Sequence, residues 1–236
     1  MITVGITNYN YGRYLGRAIE SAQGADEISV VDDHSDDDSL SVIDKYGVHA
    51  IYHAENSGSA VRGYNELIET AKSDRLILLS ADDYLLPGAI EKFRATEGDW
   101  VFGDVVVVDD KDEAIDSWAY VGWPTEPVQA LARGLRDLSL PVTMLACFNL
   151  DWIRRNGLTF ENFENTTTAA DTRTGIEWLT HWPSIRRIPE PLFAYRRHAG
   201  QETDTLNAER EVMQADLVAL YLRLFDTQTL NLFQDI

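Results

Sequence analysis

The sequence predicts an α/β protein built on a doubly wound, mostly parallel central sheet, with a small antiparallel extension and a C-terminal helix. Three observations carry that. Over the first hundred residues, short β-rich runs alternate with stretches of helical spacing in the order βαβ(α)βαβ, the pattern of parallel strands joined by crossover helices. The run Leu76-Ile77-Leu78-Leu79 is continuously apolar, as a strand covered on both faces requires. Two strands end in paired carboxylates, Asp32-Asp33 and Asp82-Asp83, on the sheet edge where open α/β folds bind ligands.

Each element has its own signature. Ile2 to Thr7 is a β-rich opening strand, broken by Asn8 to Gly12. Tyr14, Leu15, Ala18, Ile19 and Ala22 then share one helical face. Glu27 to Val31 is the second strand, and Ser35 or Asp36 stands where a helix through Leu40 and Ile43 needs its cap. Val48 to Tyr52 is a third strand. A polar loop, Glu55 to Ser59, leads to a helix that turns Val61, Tyr64, Leu67, Ile68 and Ala71 inward. The strand ending at Asp82-Asp83 follows, with a helix from Pro87.

Beyond residue 100 the pattern loosens. Trp100 to Val108 reads as a strand, with Ala114 to Val121 pairing back across an acidic turn. Pro124 to Leu138 is a loop and helix, Val142 to Phe148 a strand, and a short helix ends at Asn156-Gly157. Residues 161–175, rich in Thr, Asn and acid, read as a loop over a site, and Ile176 to Trp182 as a short helix. Ile185 to Ile188 and Leu192 to Arg196 read as two edge strands around Pro189-Glu190-Pro191. Leu206 to Phe225 is a long amphipathic helix.

Composition excludes several function classes. The chain has 236 residues, 44% of them apolar, enough for a full core. No apolar run approaches the roughly 20 residues of a membrane span, and no signal-peptide pattern opens the chain; with a single cysteine, this reads as a cytoplasmic protein. Cys147 lies in an apolar run, so a buried, inert thiol is expected. The formal net charge of −19 repels nucleic acid and anionic lipid, and neither is expected as a partner. An anionic ligand would need a metal ion, helix N-termini and placed arginines. Adjacent carboxylates repel, so the acidic pair makes most sense beside a cation.

Four runs stand in order along this frame: Thr7-Asn8-Tyr9-Asn10, Val30-Val31-Asp32-Asp33-His34-Ser35, Asn56-Ser57-Gly58-Ser59-Ala60-Val61-Arg62 and Leu79-Ser80-Ala81-Asp82-Asp83-Tyr84-Leu85-Leu86-Pro87. Together they resemble the landmarks of family 2 glycosyltransferases of the GT-A fold, which read YN, VDDGS, NxGxxxAR and DADDxxxP. Phe160-Glu161, Ala170-Asp171, Pro189-Glu190-Pro191-Leu192 and Tyr195-Arg196-Arg197-His198 extend the resemblance over roughly residues 1–200.

The resemblance implies one GT-A domain over residues 1–236: a nucleotide-sugar-binding half (1–105), an acceptor and catalytic half (106–200), and a C-terminal helix and tail (201–236). It implies an inverting transfer from a nucleoside-diphosphate sugar of UDP, GDP or dTDP type to a saccharide or glycolipid acceptor, assisted by Mn²⁺ or Mg²⁺. Thr7, Tyr9 and Asp33, with Asp32 in support, would hold the base and ribose. Arg62 would approach the diphosphate, Asp82 and His198 the metal, and Asp83 a sugar. Asp171 would be the catalytic base, with Glu177 and Glu161 as fallbacks. The chain departs from the family pattern at Ser80, where the first acid of the DxD motif usually stands, and at Ala170, where a Glu usually precedes the base. Those departures leave a second reading open, a nucleotide-sugar-binding scaffold without catalysis. A sugar-phosphate nucleotidyltransferase would need a Gly-rich loop ending in a basic residue after the first strand, and Asn8 to Gly12 is not one. Trp118, Trp123, Trp178 and Trp182 could stack on acceptor sugars or be plain core.

Overall fold

The computed structural model describes residues 1–137, 145–161 and 170–201. Its strands are β1 (Ile2–Asn8), β2 (Glu27–Asp32), β3 (His49–Tyr52), β4 (Arg75–Ser80), β5 (Tyr84–Leu85), β6 (Trp100–Val108), β7 (Ala114–Trp118), β8 (Ala146–Asn149) and β9 (Ile185–Arg196). Its helices are α1 (Gly12–Ser21), α2 (Ser39–Tyr46), α3 (Val61–Thr70), α4 (Ala89–Ala95), α5 (Pro127–Asp137), α6 (Leu150–Arg155) and α7 (Ala170–Leu179). The strands form one sheet in the order β3-β2-β1-β4-β8-β6-β9-β5, with β7 pairing to β6 outside that path.

The first four strands are parallel. β8 then runs antiparallel to both β4 and β6, while β9 is parallel to β6. Register decides where the site lies. Thr7 sits opposite Val31 on one side and Ser80 on the other, so β1, β2 and β4 end level with one another. Both acidic pairs therefore leave the sheet at one edge.

Side-chain alternation along β4 builds two cores. Leu76 and Leu78 pack on the face covered by α3, α6 and α7, whereas Ile77 and Leu79 pack on the face covered by α1, α2 and α4. A helix can lie close to the sheet only where a glycine makes room. Gly63 of α3 is such a position, because a Cβ there would come within 3.0 Å of Thr7 Cγ2. Cys147 is fully buried and its thiol is pushed up to about 12 by burial, as expected of an inert core cysteine. Among the described residues no helix is long and apolar enough to cross a membrane.

Several expectations change. Ser35 does not cap α2. It is buried, accepts from Asn10 N–H and donates to Asp32, while Asp37 Oδ1 takes the Ser39 N–H at the helix start. Residues 170–175 are not loop but the first turns of α7. The i,i+4 pair Arg173–Glu177 and the bond from Arg173 to Glu161 hold that turn in place. The two edge strands around Pro189-Glu190-Pro191 are one 12-residue strand, β9. It tolerates the prolines because its ladder to β6 shifts register there, between Gly103 and Val105. Residues 142–144 of the expected strand and the expected helix 206–225 lie outside the described residues.

Candidate functional site

A cavity of about 390 Å³ opens at the level ends of β1, β2 and β4. Thr7, Tyr9, Asp33, Ser80, Asp82 and Asp83 all line it. The loop before α3 supplies a second wall through Asn56, Gly58 and Ser59, and the segment after β9 a third through Gly200 and Gln201. Thr7 is nearly buried and Tyr9 is half exposed, so Tyr9 presents a free ring face. Position, chemistry and access coincide for these six residues.

The floor is built around a buried arginine that sequence reasoning left without a role. Asp82 and Asp83 are both almost fully buried. Burial and the Asp82 charge push the Asp83 carboxyl well above the usual carboxylate range, while Arg196 pulls it back. The Arg196 main-chain N–H donates to Asp83 Oδ1 at 2.9 Å. Its guanidinium donates to the carbonyl oxygens of Asp82 and Asp109, at 2.9 and 2.8 Å, and to Asp112. It also lies over the Tyr14 ring, 4.6 Å from the centroid. The two-residue strand β5 pairs Tyr84 with Ala194, and this brings Arg196 to the acids. The sequence signal was a conspicuous run, Tyr195 to His198, whose arginine is unusable by any local partner.

His198 is not among the cavity-lining residues but is bonded to one of them, Asp82. Its Nε2 lies 3.1 Å from Asp82 Oδ2, and its ring packs against Tyr11 and Tyr14 at centroid distances of 5.2 and 5.0 Å. The hydrogen bond to Asp82 raises the His198 pKa above its ordinary value, against the opposing effect of burial. Asp82 and His198 thus offer one carboxylate and one imidazole to a cation. Among the described residues no three His, Cys, Asp or Glu side chains group closely enough to hold an ion alone. A Mn²⁺ or Mg²⁺ here would need phosphate oxygens and water to complete its shell, the habit of such ions at nucleotide sites.

On the opposite wall, Asp33 is held by three donors. Ser57 N–H and Oγ reach it at 3.1 and 2.8 Å, and His53 Nδ1 at 2.5 Å. His53 is a second residue that sequence reasoning missed, since its partners are 20 and 13 positions away. Asp32, expected to support the ligand directly, is turned into the protein. Its oxygens accept from Asn8 Nδ2, Ser35 N–H and Ser35 Oγ, and it does not line the cavity. Arg62 does not line it either. It is half exposed on α3 and pairs with Glu66 at 3.2 Å.

Asp171 stands in the first turn of α7 and is not among the cavity-lining residues. Its Oδ1 accepts from Thr172 N–H, and burial raises its carboxyl above the ordinary range. The fallback acids differ in kind: both Glu161 and Glu177 are bound to the buried Arg173. Trp178 is core, in contact with Phe148, Trp152 and Phe160. Trp182 is exposed.

Residues 3–117 match the model of glycosyl transferase family 2. That match covers just under half of the chain. An uncharacterized glycosyltransferase of Nostoc sp. is 33% identical over 130 residues, 49% of this chain and 39% of the relative, so the chain spans well under half of that relative's length. Among solved structures, Staphylococcus aureus TarS (residues 1–349) in complex with UDP-GlcNAc superposes with a TM-score of 0.71 at 14% identity, covering 94% of this chain and 72% of TarS. The mannosyltransferase PcManGT of Pyrobaculum calidifontis, in complex with GDP-Man and Mn²⁺, gives 0.60 at 16% identity, covering 94% and 64%. The fold of this chain is therefore GT-A.

Proposed function

We propose that this chain is an inverting, metal-assisted family 2 glycosyltransferase that moves a sugar from a nucleoside-diphosphate sugar to a saccharide or lipid-linked acceptor. One observation carries the reading: Asp33, Asp82 and Asp83 face a single cavity at the strand ends, with His198 bonded to Asp82. The solved relatives holding UDP-GlcNAc and GDP-Man support a donor of that chemical class.

Each residue then has a task. Tyr9 and Thr7 contact the base and ribose, and Asp33, fixed by Ser57 and His53, accepts hydrogen bonds from them. Asp83 orients a sugar. Asp82 and His198 would hold Mn²⁺ or Mg²⁺, whose charge would offset the negative charge of the departing diphosphate. Arg62 turns from Glu66 toward the diphosphate. Asp171 accepts the proton of the acceptor hydroxyl, a contribution of about 10²–10⁴ in rate. Its raised pKa makes it the better base of the three acids, because Glu161 and Glu177 are both ion-paired to Arg173. Base and leaving group on opposite faces of the sugar invert the anomeric centre.

The test is a thermal-shift screen of UDP-, GDP- and dTDP-sugars with and without Mn²⁺, since a ligand bound only by the folded state raises its melting temperature. A metal-dependent shift with one donor class is expected. No shift with any donor refutes the reading. Ser80 at the cavity wall, where an acid usually stands, favours a scaffold as the second reading. Donor hydrolysis with Mn²⁺ separates the two: binding without turnover supports the scaffold.

A further inference from the structure

Two of the five histidines are buried, His198 and His53. The second has no part in the chemistry above beyond touching Asp33. It follows β3, and its main-chain N–H continues the ladder to the Asp32 carbonyl at 2.9 Å. Its imidazole is 1% exposed and lies between two carboxylates, with Nδ1 2.5 Å from Asp33 Oδ1 and Nε2 2.7 Å from Glu66 Oε2. Glu66 in turn accepts from Arg62 Nε at 3.2 Å. A neutral imidazole has one N–H and one lone pair, so it can satisfy only one of these acids. An imidazolium satisfies both. The signs then alternate along the row Asp33, His53, Glu66, Arg62, and the row is neutral as a whole.

Losing that proton has two consequences. One carboxylate is left facing a lone pair of the buried imidazole, which costs free energy whichever acid it is. The row also becomes net negative beside a cavity that has to accept an anion. Asp33 further anchors Ser57, so any movement of Asp33 disturbs the loop wall of the cavity as well. Burial opposes protonation of His53, but the bonds to Asp33 and Glu66 outweigh it and raise its pKa above the ordinary 6.5.

We propose that His53 is a positioning residue: as an imidazolium it fixes Asp33 and the Asn56–Ala60 loop, and the cavity binds a nucleoside-diphosphate sugar tightly only while His53 keeps its second proton. This rests on the nucleotide-site reading above. The charged groups around His53 are Asp33 from the end of β2 and Glu66 and Arg62 from α3; Asp32 contributes only its carbonyl oxygen.

The experiment measures donor affinity by calorimetry from about pH 6 to pH 9, the range in which a histidine of raised pKa titrates, together with the histidine ring titrations by NMR. A nucleoside-diphosphate sugar is the right probe, because its diphosphate lacks the monoester group that titrates near pH 6. For a folded pKa above the unfolded value, the effect is present at low pH and lost as pH rises through the folded pKa. Affinity should therefore fall with rising pH by up to about tenfold per unit past the His53 pKa. Glu66→Gln removes one acid while keeping the side-chain shape, so the inflection and the His53 NMR titration should both move to lower pH. A purely structural role would lower the melting temperature and leave the inflection in place. Binding with an inflection that Glu66→Gln does not move, or a His53 ring found neutral at pH 6, overturns this inference alone. Absence of donor binding at every pH overturns the functional reading and the inference together.

Discussion

Replacing Arg196 by methionine isolates the guanidinium at the cavity floor. Methionine keeps an unbranched apolar stem but loses the guanidinium over the Tyr14 and Tyr84 rings, and the main-chain N–H to Asp83 survives. Two carbonyl oxygens lose charged donors, the buried one of Asp82 and the partly buried one of Asp109. A hydrogen bond to a charged group contributes about 1.5–3 kcal/mol. The Asp112 pair adds little, because Asp112 is 44% exposed and screened. Two such bonds put the loss at about 3–6 kcal/mol. For a domain of this size that lowers the melting temperature by about 6–24 °C. Calorimetry on the wild type, Arg196→Met and Asp112→Asn measures it, and Asp112→Asn should cost under about 1 kcal/mol. A loss below about 1 kcal/mol for Arg196→Met would refute the view that this residue organises the floor.

Three further outcomes are expected. Asp82→Ala should abolish the Mn²⁺-dependent part of donor binding while the far-UV circular dichroism stays that of the wild type; unchanged donor affinity would remove Asp82 from the metal site. Asp171→Asn should lower turnover by at least about 10² with donor affinity kept. In the wild type the rate should fall as pH drops through the raised Asp171 pKa, since the base must be unprotonated, and a pH–rate profile without that acid limb counts against the assignment. Arg62→Ala should weaken a nucleoside diphosphate more than the nucleoside, and equal losses in a calorimetric comparison would place Arg62 away from the phosphates.

The parts of this molecule that could be read from the chain are those written in local pattern. The apolar run into Asp82-Asp83 marks both a strand and its exposed end, and level strand ends follow once the first strands are parallel. The same holds for α1 and α3, whose inward residues are those given by helical spacing. What was hidden depends on partners far along the chain. Arg196 meets Asp82 across 114 positions, and nothing near it in sequence explains a buried arginine. His53 looks like any loop histidine until β3 and α3 bring two acids to it. Asp32 and Asp33 are neighbours with opposite fates, one turned inward to Ser35 and one facing the cavity, a choice made by the loop geometry that follows. Polar composition made residues 170–175 read as loop, although a buried Arg173 tying two glutamates is enough to start a helix there.

The position of β8 in the sheet constrains how the molecule can be dissected. β4 and β6 never pair directly; the strand between them comes from residues 146–149, well after both in the chain. A fragment ending near residue 117, where the family match stops, would carry Thr7, Asp33 and Asp82 but leave the flank of β4 bare. An uncovered hydrogen-bonding flank of that kind invites other chains to dock onto it. Split reporters or minimal binding modules made from this protein should therefore keep β8, and mixing separately expressed halves should give aggregates before it gives reconstitution.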